Sequence, residues 1–470
     1  MESIDKILSQ ENKKTLKKHI SDLVDTANIG SSFDLQKIKI RGGCYGCFFD
    51  EKLTHKIARL FQNIPYINHY DVEMICERIL LKISESKPPA EKKVLVKELL
   101  DSNQMANAEK ALYEYFLSLP FEYEVLFPLM YFPLIHKIEG DEGEGWIDDA
   151  SDQVFEITDD IRIFYVGEQH RQNQYPAIVG YEIFDESWHG AHISIKTYGC
   201  DIIAPASASF LNAIKKLKIL VSTLVIYEIL KISTSPTLYH FHEYGSHCYV
   251  YPRFLDGLPQ SIRMNYQESN FISQLVLNHN KVFKPNRFEE LLINQGKKED
   301  TLAADLERLR KRLQPVQELF ASQPSYSADK NGDVERINTA LLWFFDGLAN
   351  SNMSFSFVQL SIALEALIGG EKDVNDPVTR RLADRCAFLI GKSNEKRKET
   401  SEKLKEAYGA RSDIIHKGEV ELDEKNTTRY KNMKQILTDL LRIEINNLTE
   451  NNKNIEDAHI VEELGLALDI

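Results

Sequence analysis

Two residues near the end of the chain, Arg411 and His416, combine a permanent cation with a side chain that titrates near neutral pH. A guanidinium can stabilise negative charge on a phosphate, and an imidazole can accept or donate a proton. The pair therefore predicts acid-base chemistry on a phosphodiester. A plainer alternative stays open: this spacing arises by chance about once or twice in a chain of this size, and His416 could simply complement a helix dipole.

The residues around Arg411 have the apolar spacing of an amphipathic helix. Leu404, Ala407, Tyr408, Ile414 and Ile415 form the predicted apolar stripe, and Arg411, seven residues after Leu404, falls on the same inward face. A guanidinium on an inward face destabilises a bundle unless it is paired. We predict Glu365 as its partner, because Glu365 flanks the stripe formed by Phe357, Leu360, Leu364 and Leu367.

His416 lies about 140° around the predicted helix from Arg411. The two side chains can converge only if the helix loosens near its end or if a second subunit contributes one of them. Lys417 and Gly418 fit a helix end at this point. A helix C-terminus favours the imidazolium whereas a nearby arginine opposes it, and these effects could keep the ring ready for proton exchange near neutrality.

The last part of the chain predicts an all-α bundle that positions these residues. Apolar periodicity and glycine stops predict five helices, over Ile337 to Leu348, Phe357 to Ile368, Val378 to Ile390, Lys398 to His416 and Thr427 to Leu448.

Two segments of this bundle resemble a known family. The run Leu404-Lys-Glu-Ala-Tyr408-Gly-Ala-Arg411-Ser-Asp-Ile-Ile-His416-Lys-Gly418 is similar to the signature of HEPN domains, particularly the Apea-like branch found in bacterial anti-phage proteins. The run Phe357-Val-Gln-Leu-Ser-Ile-Ala-Leu-Glu365-Ala-Leu-Ile-Gly-Gly370 resembles the second helix of that branch. The resemblance covers residues 335 to 448 of 470, roughly a quarter of the chain, and does not reach residues 1 to 330.

The resemblance implies a metal-independent endoribonuclease that needs no cofactor. Two HEPN domains would dimerise, as a homodimer or a higher homo-oligomer, and place both Arg-His pairs in one cleft. His416 would exchange protons with the 2′-hydroxyl or the leaving oxygen, Arg411 would stabilise the phosphate, and the product would be a 2′,3′-cyclic phosphate. The supporting residues would be Glu365, Tyr408, Ser412 and Asp413. The implied substrate is RNA, with tRNA among the candidates, cut in abortive infection after a phage-derived trigger.

One departure from the family keeps an alternative open. Many members have Asn directly after the arginine, whereas this chain has Ser412. A catalytically silent HEPN module, used for dimerisation or nucleotide binding, is the competing interpretation.

The length of 470 residues predicts a multidomain protein of about three domains. We expect a mostly α N-terminal domain over 1–140, an α+β sensor or regulatory domain over 150–322, the all-α HEPN ribonuclease domain over 335–450 and a tail over 451–470. The net charge of -14 opposes a polyanion, so RNA must meet a local patch. From Glu335 to Thr449 the chain has 18 Lys plus Arg and 18 Asp plus Glu, so this segment is neutral. We expect a cytoplasmic protein with no membrane span, because the first residues are charged and the apolar run Ile219 to Leu230 is too short.

Two weaker patterns suggest metal binding, and they define a third hypothesis, a metal-bound interaction protein. Cys44 and Cys47 have zinc-ligand spacing, but the second pair of ligands would have to come from residues such as His55, His69 and Cys76. A simple pair of thiols in a loop is the plainer interpretation. The second pattern comprises His240, His242, His247 and Cys248, with Cys200 or His192 as further candidates.

Overall fold

The computed structural model describes residues 3–31, 45–48, 50–64, 66–84, 94–129, 137–140, 143–146, 154–165, 191–200, 204–232, 247–252, 260–278, 298–321, 332–368, 378–417 and 422–451. Over these ranges the chain is rich in α-helix, as composition and periodicity predict. Its strands form antiparallel pairs.

The chain divides into two compact units. The first comprises Met1–Val125, Lys196–Ile214 and Tyr249–Ile262, and the second comprises Leu126–Ile195, Lys215–Cys248 and Arg263–Ile470. The three consecutive domains expected from the sequence stay a prediction.

The first unit contains six helices near its N-terminus: α1 (Ile4–Ile7), α2 (Gln10–Thr26), α3 (Glu51–Leu60), α4 (His69–Ser84), α5 (Val96–Leu99) and α6 (Ser102–Ser118). Side-chain caps mark the N-termini of several of these helices. Asp101 and Gln104 form a reciprocal capping box at the start of α6, which satisfies backbone donors that have no intrahelical partner. The helices bury a shared apolar core that includes Leu16, Ile20, Phe61 and Phe116.

A small antiparallel sheet accompanies these helices. Strand β1 (Asn28–Ser31) pairs with β2 (Tyr45–Phe48) and with β3 (Val94–Leu95). The sequence predicted a loop across Gly42 to Cys47, and this is wrong for residues 45–47. Cys47 pairs in register with Ile29, so sheet hydrogen bonding overrides the local glycine signal.

The remaining strands are β4 (Phe121–Leu129), β5 (Lys137–Gly140), β6 (Gly143–Trp146), β7 (Val154–Thr158), β8 (Ile161–Tyr165), β9 (Ala191–Gly199), β10 (Leu230–Ile232), β11 (His247–Pro252), β12 (Gln260–Arg263) and β13 (Leu275–Leu277). One sheet has the order β12-β11-β4-β9-β8-β7. Within it β8 runs antiparallel to β9, with Ile163 opposite Ile193, and both of these side chains are buried. Short runs of β-branched and aromatic residues predict strands over 161–166, 177–183 and 192–196. Strands β8 and β9 match the first and the third, and residues 177–183 lie outside the described residues.

The sequence predicts one long helix over 207–232, and the structure has helix α7 over Ala208–Ile226. It ends earlier because Glu228 adopts a left-handed backbone conformation, with φ of 57°, and turns the chain into β10. Two further helices follow, α8 (Tyr266–Ser273) and α9 (Lys298–Ala321).

The C-terminal bundle contains the five predicted helices. They are α10 (Gly332–Ala349), α11 (Met353–Ile368), α12 (Val378–Ile390), α13 (Asn394–Lys417) and α14 (Glu424–Asn451). The bundle core includes Phe344, Phe357, Leu404 and Leu440, each with no exposed surface. Each of these helices buries an apolar stripe in the bundle core. That burial holds α11 and α13 in a fixed position relative to each other. Within the described ranges, no helix combines the length and apolarity that crossing a membrane requires.

Candidate active site

The guanidinium of Arg411 joins α13 to α11 through two polar contacts. Its Nε donates a hydrogen bond of 2.8 Å to Oγ of Ser361, and its Nη2 lies 3.3 Å from Oε1 of Glu365. The ion pair predicted between Arg411 and Glu365 is therefore confirmed. Both partners lie on α11, one helical turn apart, so they fix the guanidinium from two positions.

Ser361 is a partner that sequence reasoning missed. It has no exposed surface, and its hydroxyl donates to the carbonyl oxygen of Val358 at 2.6 Å while it accepts from Arg411. The hydroxyl therefore uses its donor and one acceptor site, which orients it towards Arg411. The available signal was its position four residues before Glu365, which places both residues on the same face of α11.

Tyr408 forms the aromatic side of the site. The Arg411 guanidinium carbon lies 5.8 Å from the centre of the Tyr408 ring, within the range of a cation-π contact. Burial, and then the nearby Glu365 carboxylate, raise the pKa of Tyr408 well above its usual value. The Tyr408 hydroxyl nevertheless meets the geometry of a hydrogen bond with none of the described residues. We therefore infer that Tyr408 supports Arg411 through its ring rather than through its hydroxyl.

Arg411 is less buried than the sequence predicted. Its side chain keeps 26% of its surface exposed, and that of Glu365 keeps 33%. A guanidinium has five N–H donors, and the contacts with Ser361 and Glu365 occupy only some of them. The remaining donors and the exposed surface leave Arg411 able to bind an anion from solvent.

His416 lies on a different face of α13. The helix continues through Lys417, so it does not loosen between Arg411 and His416, and their directions remain about 140° apart. The His416 side chain is exposed and makes no hydrogen bond or ion pair with the described residues. A loosened helix end, the first of the two routes by which Arg411 and His416 could converge, is therefore absent from α13.

The other residues at the end of α13 vary in exposure. Ser412 is exposed and Asp413 is half-buried. Ile415 is 47% exposed, so its predicted place in the apolar stripe is wrong, whereas Ile414 is buried as predicted. Helical spacing places Ile415 about 40° from Arg411 and between Leu404 and Tyr408, so its exposure follows from its position near the end of α13 and not from its face of the helix.

Further apolar surface is exposed where α11 begins. Met353 is 41% exposed and Phe355 is 63% exposed. Arg411 is bound to both Ser361 and Glu365, and Tyr408 lies near Glu365, so α13 runs antiparallel to α11. The end of α13 and the start of α11 therefore lie at the same end of the bundle, and Ile415 and Phe355 are exposed there together.

The residues of the weaker metal hypotheses are only partly described. Cys44, His240 and His242 lie outside the described residues, and Cys47 lies in β2. His55 and His69 stack with ring centroids 3.7 Å apart, and Nε2 of His69 lies 2.8 Å from Oγ1 of Thr54. Burial raises the pKa of Cys248 to about 12, which disfavours the thiolate that metals bind. No group of three or more metal-binding side chains is arranged around a common point among the residues described.

Comparison of this chain with protein-family models, with curated proteins and with solved structures gave no match. The functional assignment must therefore be argued from the motif residues and from the geometry of Arg411 and its partners.

Proposed function

We propose that the C-terminal bundle is a metal-independent endoribonuclease of the HEPN type that acts in anti-phage defence. The observation that carries this proposal is the environment of Arg411: a guanidinium held by Ser361, Glu365 and the Tyr408 ring that still keeps 26% of its side-chain surface exposed. A guanidinium that is oriented and yet open suits the binding of a phosphate.

The reaction follows from the chemistry of the two residues. An imidazole takes the proton of the ribose 2′-hydroxyl, and the resulting oxygen attacks the adjacent phosphorus. Arg411 stabilises the negative charge that develops on the phosphoryl oxygens. An imidazolium gives a proton to the departing 5′-oxygen, which leaves a 2′,3′-cyclic phosphate. No metal takes part in these steps, so cleavage should persist in chelator.

A homodimer completes the site in this proposal. His416 is exposed and points away from the Arg411 face of its own helix, so a His416 from a second copy can approach Arg411 of the first. The exposed Ile415 and Phe355 at the same end of the bundle offer apolar surface for such contact. The proposal thus places two Arg411-His416 combinations in the dimer cleft, each with Arg411 from one subunit and His416 from the other.

Two variants test the enzyme directly. His416→Ala and Arg411→Ala should each abolish RNA cleavage measured in chelator, because each removes one half of the chemistry. A matched control is Arg308→Ala on α9, which removes a half-buried arginine outside the bundle. Unchanged cleavage in both His416→Ala and Arg411→Ala would remove the assignment.

The alternative is a catalytically silent HEPN module used for dimerisation or nucleotide binding. Ser412, which stands where many family members have Asn, is exposed and could leave the scissile phosphate poorly held. This alternative predicts a folded dimer that cleaves no RNA under any trigger. Ser412→Asn distinguishes the two, because it should raise cleavage if the site is catalytic and change nothing if it is silent.

The residues before the bundle would keep the nuclease inactive in the cytoplasm until they respond to a phage-derived trigger. The proposed layout has a helical N-terminal region, an α+β middle region and a HEPN effector, and two contacts of Ser222 and Tyr227, at the end of α7 and just after it, with the bundle offer one route for such control. Oγ of Ser222 donates to the carbonyl of Leu341 at 3.0 Å, and the Tyr227 hydroxyl lies 2.6 Å from Oδ1 of Asn446. Tyr227→Phe should raise basal RNA cleavage by the full chain, and unchanged basal cleavage would count against control through this contact.

A further inference from the structure

A pocket of about 350 Å³ lies within the second unit, between the end of α7, the middle of α10 and one face of α14. Val225, Glu228 and Phe344 contribute to one side, and α14 contributes Lys431, Lys434 and Arg442. This volume falls at the lower end of the range for small-molecule sites.

The three cations share one face of α14. Successive residues of a helix are about 100° apart, so Lys431, Lys434 and Arg442 fall within an arc of about 80°. Arg429, whose Nε lies 3.7 Å from Oε2 of Glu406 on α13, points about 160° away from Lys431. The pocket therefore lies on the opposite side of α14 from the helix that carries Arg411 and His416.

Arg442 is already neutralised by its neighbours. Its Nη2 donates to the carbonyl oxygen of Ile226, at the negative end of the α7 dipole, and lies 3.8 Å from Oε1 of Glu228. The nearby acid Asp439 accepts hydrogen bonds of 3.0 and 3.1 Å from Gln435. Glu228, a carboxylate that lines the pocket, is thus paired with Arg442, whereas Asp439 keeps its charge and is not among the residues that line the pocket.

Lys431 and Lys434 supply the positive charge at the pocket that is not already paired. Among the residues that the structure describes, no carboxylate forms an ion pair with either ammonium. Lys434 is half-buried, and desolvation by burial lowers its pKa. A desolvated cation without a counter-ion lowers the stability of the fold, so an external anion would offset a cost that the protein itself leaves uncompensated.

We propose that this pocket binds a small phosphate-bearing ligand between Lys431 and Lys434. Lysine binds phosphate as a point charge, and two ammonium groups match a compact anion of more than one charge better than a single carboxylate. The volume exceeds what one phosphate ion needs, so the ligand class is a diphosphate or a phosphorylated small molecule of nucleotide size. This site does not depend on the proposed ribonuclease activity.

The test is calorimetric titration of the full chain with inorganic pyrophosphate at low ionic strength, without RNA. Lys434→Met should weaken binding at least about tenfold, equivalent to about 1.4 kcal/mol. The matched control is Lys425→Met, which removes an exposed lysine of the same helix about 120° from the pocket face and should bind as the unaltered chain does. Glu228→Gln should tighten binding, because it removes the carboxylate that lines the pocket.

A second measurement separates ligand binding from a structural role of Lys434. In the absence of ligand, Lys434→Met should raise the Tm, because it replaces an unpaired desolvated charge by an apolar side chain. Pyrophosphate should raise the Tm of the unaltered chain and of Lys425→Met, but not that of Lys434→Met.

Two results would overturn the proposal. One is the absence of pyrophosphate binding by the unaltered chain, or equal binding by Lys434→Met. The other is found with RNA in place of pyrophosphate. If the unaltered chain binds no pyrophosphate and Lys434→Met binds RNA more weakly, this face of α14 binds the RNA backbone instead.

Discussion

Nε of Arg411 and Oγ of Ser361 lie 2.8 Å apart, and this hydrogen bond joins the helix that carries the candidate catalytic pair to the helix beside it. Because Ser361 also donates to the carbonyl of Val358, its hydroxyl can orient the guanidinium only by accepting. Ser361 is therefore a positioning residue for Arg411 rather than a group that would touch RNA.

Ser361→Ala should lower RNA cleavage by about 10- to 100-fold, because a displaced guanidinium no longer meets the phosphate. It should also lower the free energy of unfolding by about 1–3 kcal/mol, because Nε of Arg411 loses its acceptor. Cleavage rates and urea unfolding measure the two effects. The control is Ser273→Ala, which removes another buried hydroxyl of the same unit, one that donates to the carbonyl of Asn270. Full cleavage by Ser361→Ala would exclude a positioning role.

Tyr408→Phe should retain cleavage and should leave stability unchanged or raise it by up to about 1 kcal/mol. The buried Tyr408 hydroxyl lies near the Glu365 carboxylate but meets the geometry of a hydrogen bond with none of the described residues, so its removal gives up little and keeps the ring beside Arg411. Tyr408→Leu, which removes the ring, should lower cleavage. A loss of cleavage in Tyr408→Phe equal to that in Tyr408→Leu would mean that the hydroxyl itself takes part.

Glu444 on α14 should make stability depend on pH. Burial raises its pKa to about 7, with Arg336 opposing and Asp333 adding to the shift. The folded chain then binds a proton more tightly than the unfolded chain, whose carboxyl titrates near 4.5. Stability should therefore fall as pH rises from about 4.5 to about 7, by about 3 kcal/mol in total.

Glu444→Gln should remove that pH dependence, so the variant should gain stability over the unaltered chain at pH 8 but not at pH 5. Urea unfolding at the two pH values measures this difference. Glu402→Gln, an exposed carboxylate on α13, is the control and should keep the slope. If Glu444→Gln also keeps the slope, Glu444 is ionised in the folded chain across this range.

The helices of the bundle could be predicted from apolar periodicity, but most of their starts could not. Val378–Ile390 agrees with its prediction at both ends. Helix α13 starts four residues earlier than predicted, and the cause is a polar cap: Oγ of Ser393 accepts from the backbone N of Lys396. The same holds for α14, where Asp423 accepts from the backbone N of Asn426. Apolar patterns begin only after such caps, so periodicity alone places the start too late.

The sequence predicts the candidate site only where one side chain requires a second one as its partner. An arginine on an inward face requires a carboxylate, and Glu365 was the acid placed to supply it. Ser361 was missed because a small hydroxyl in an apolar helix gives no periodic signal. The exposure of Ile415 was also missed, because a hydrophobicity pattern cannot separate a core side chain from one left at the surface.

The central claim is that Arg411 of one subunit acts with His416 of another. Coexpression of Arg411→Ala with His416→Ala tests it, because a mixed dimer restores one site that has both residues only if the site is shared between chains. Each variant alone should be inactive in chelator, and the mixture should recover about a quarter of the unaltered activity for random pairing of subunits in a dimer with two sites. No recovery in a mixture shown to contain mixed dimers would contradict the shared site.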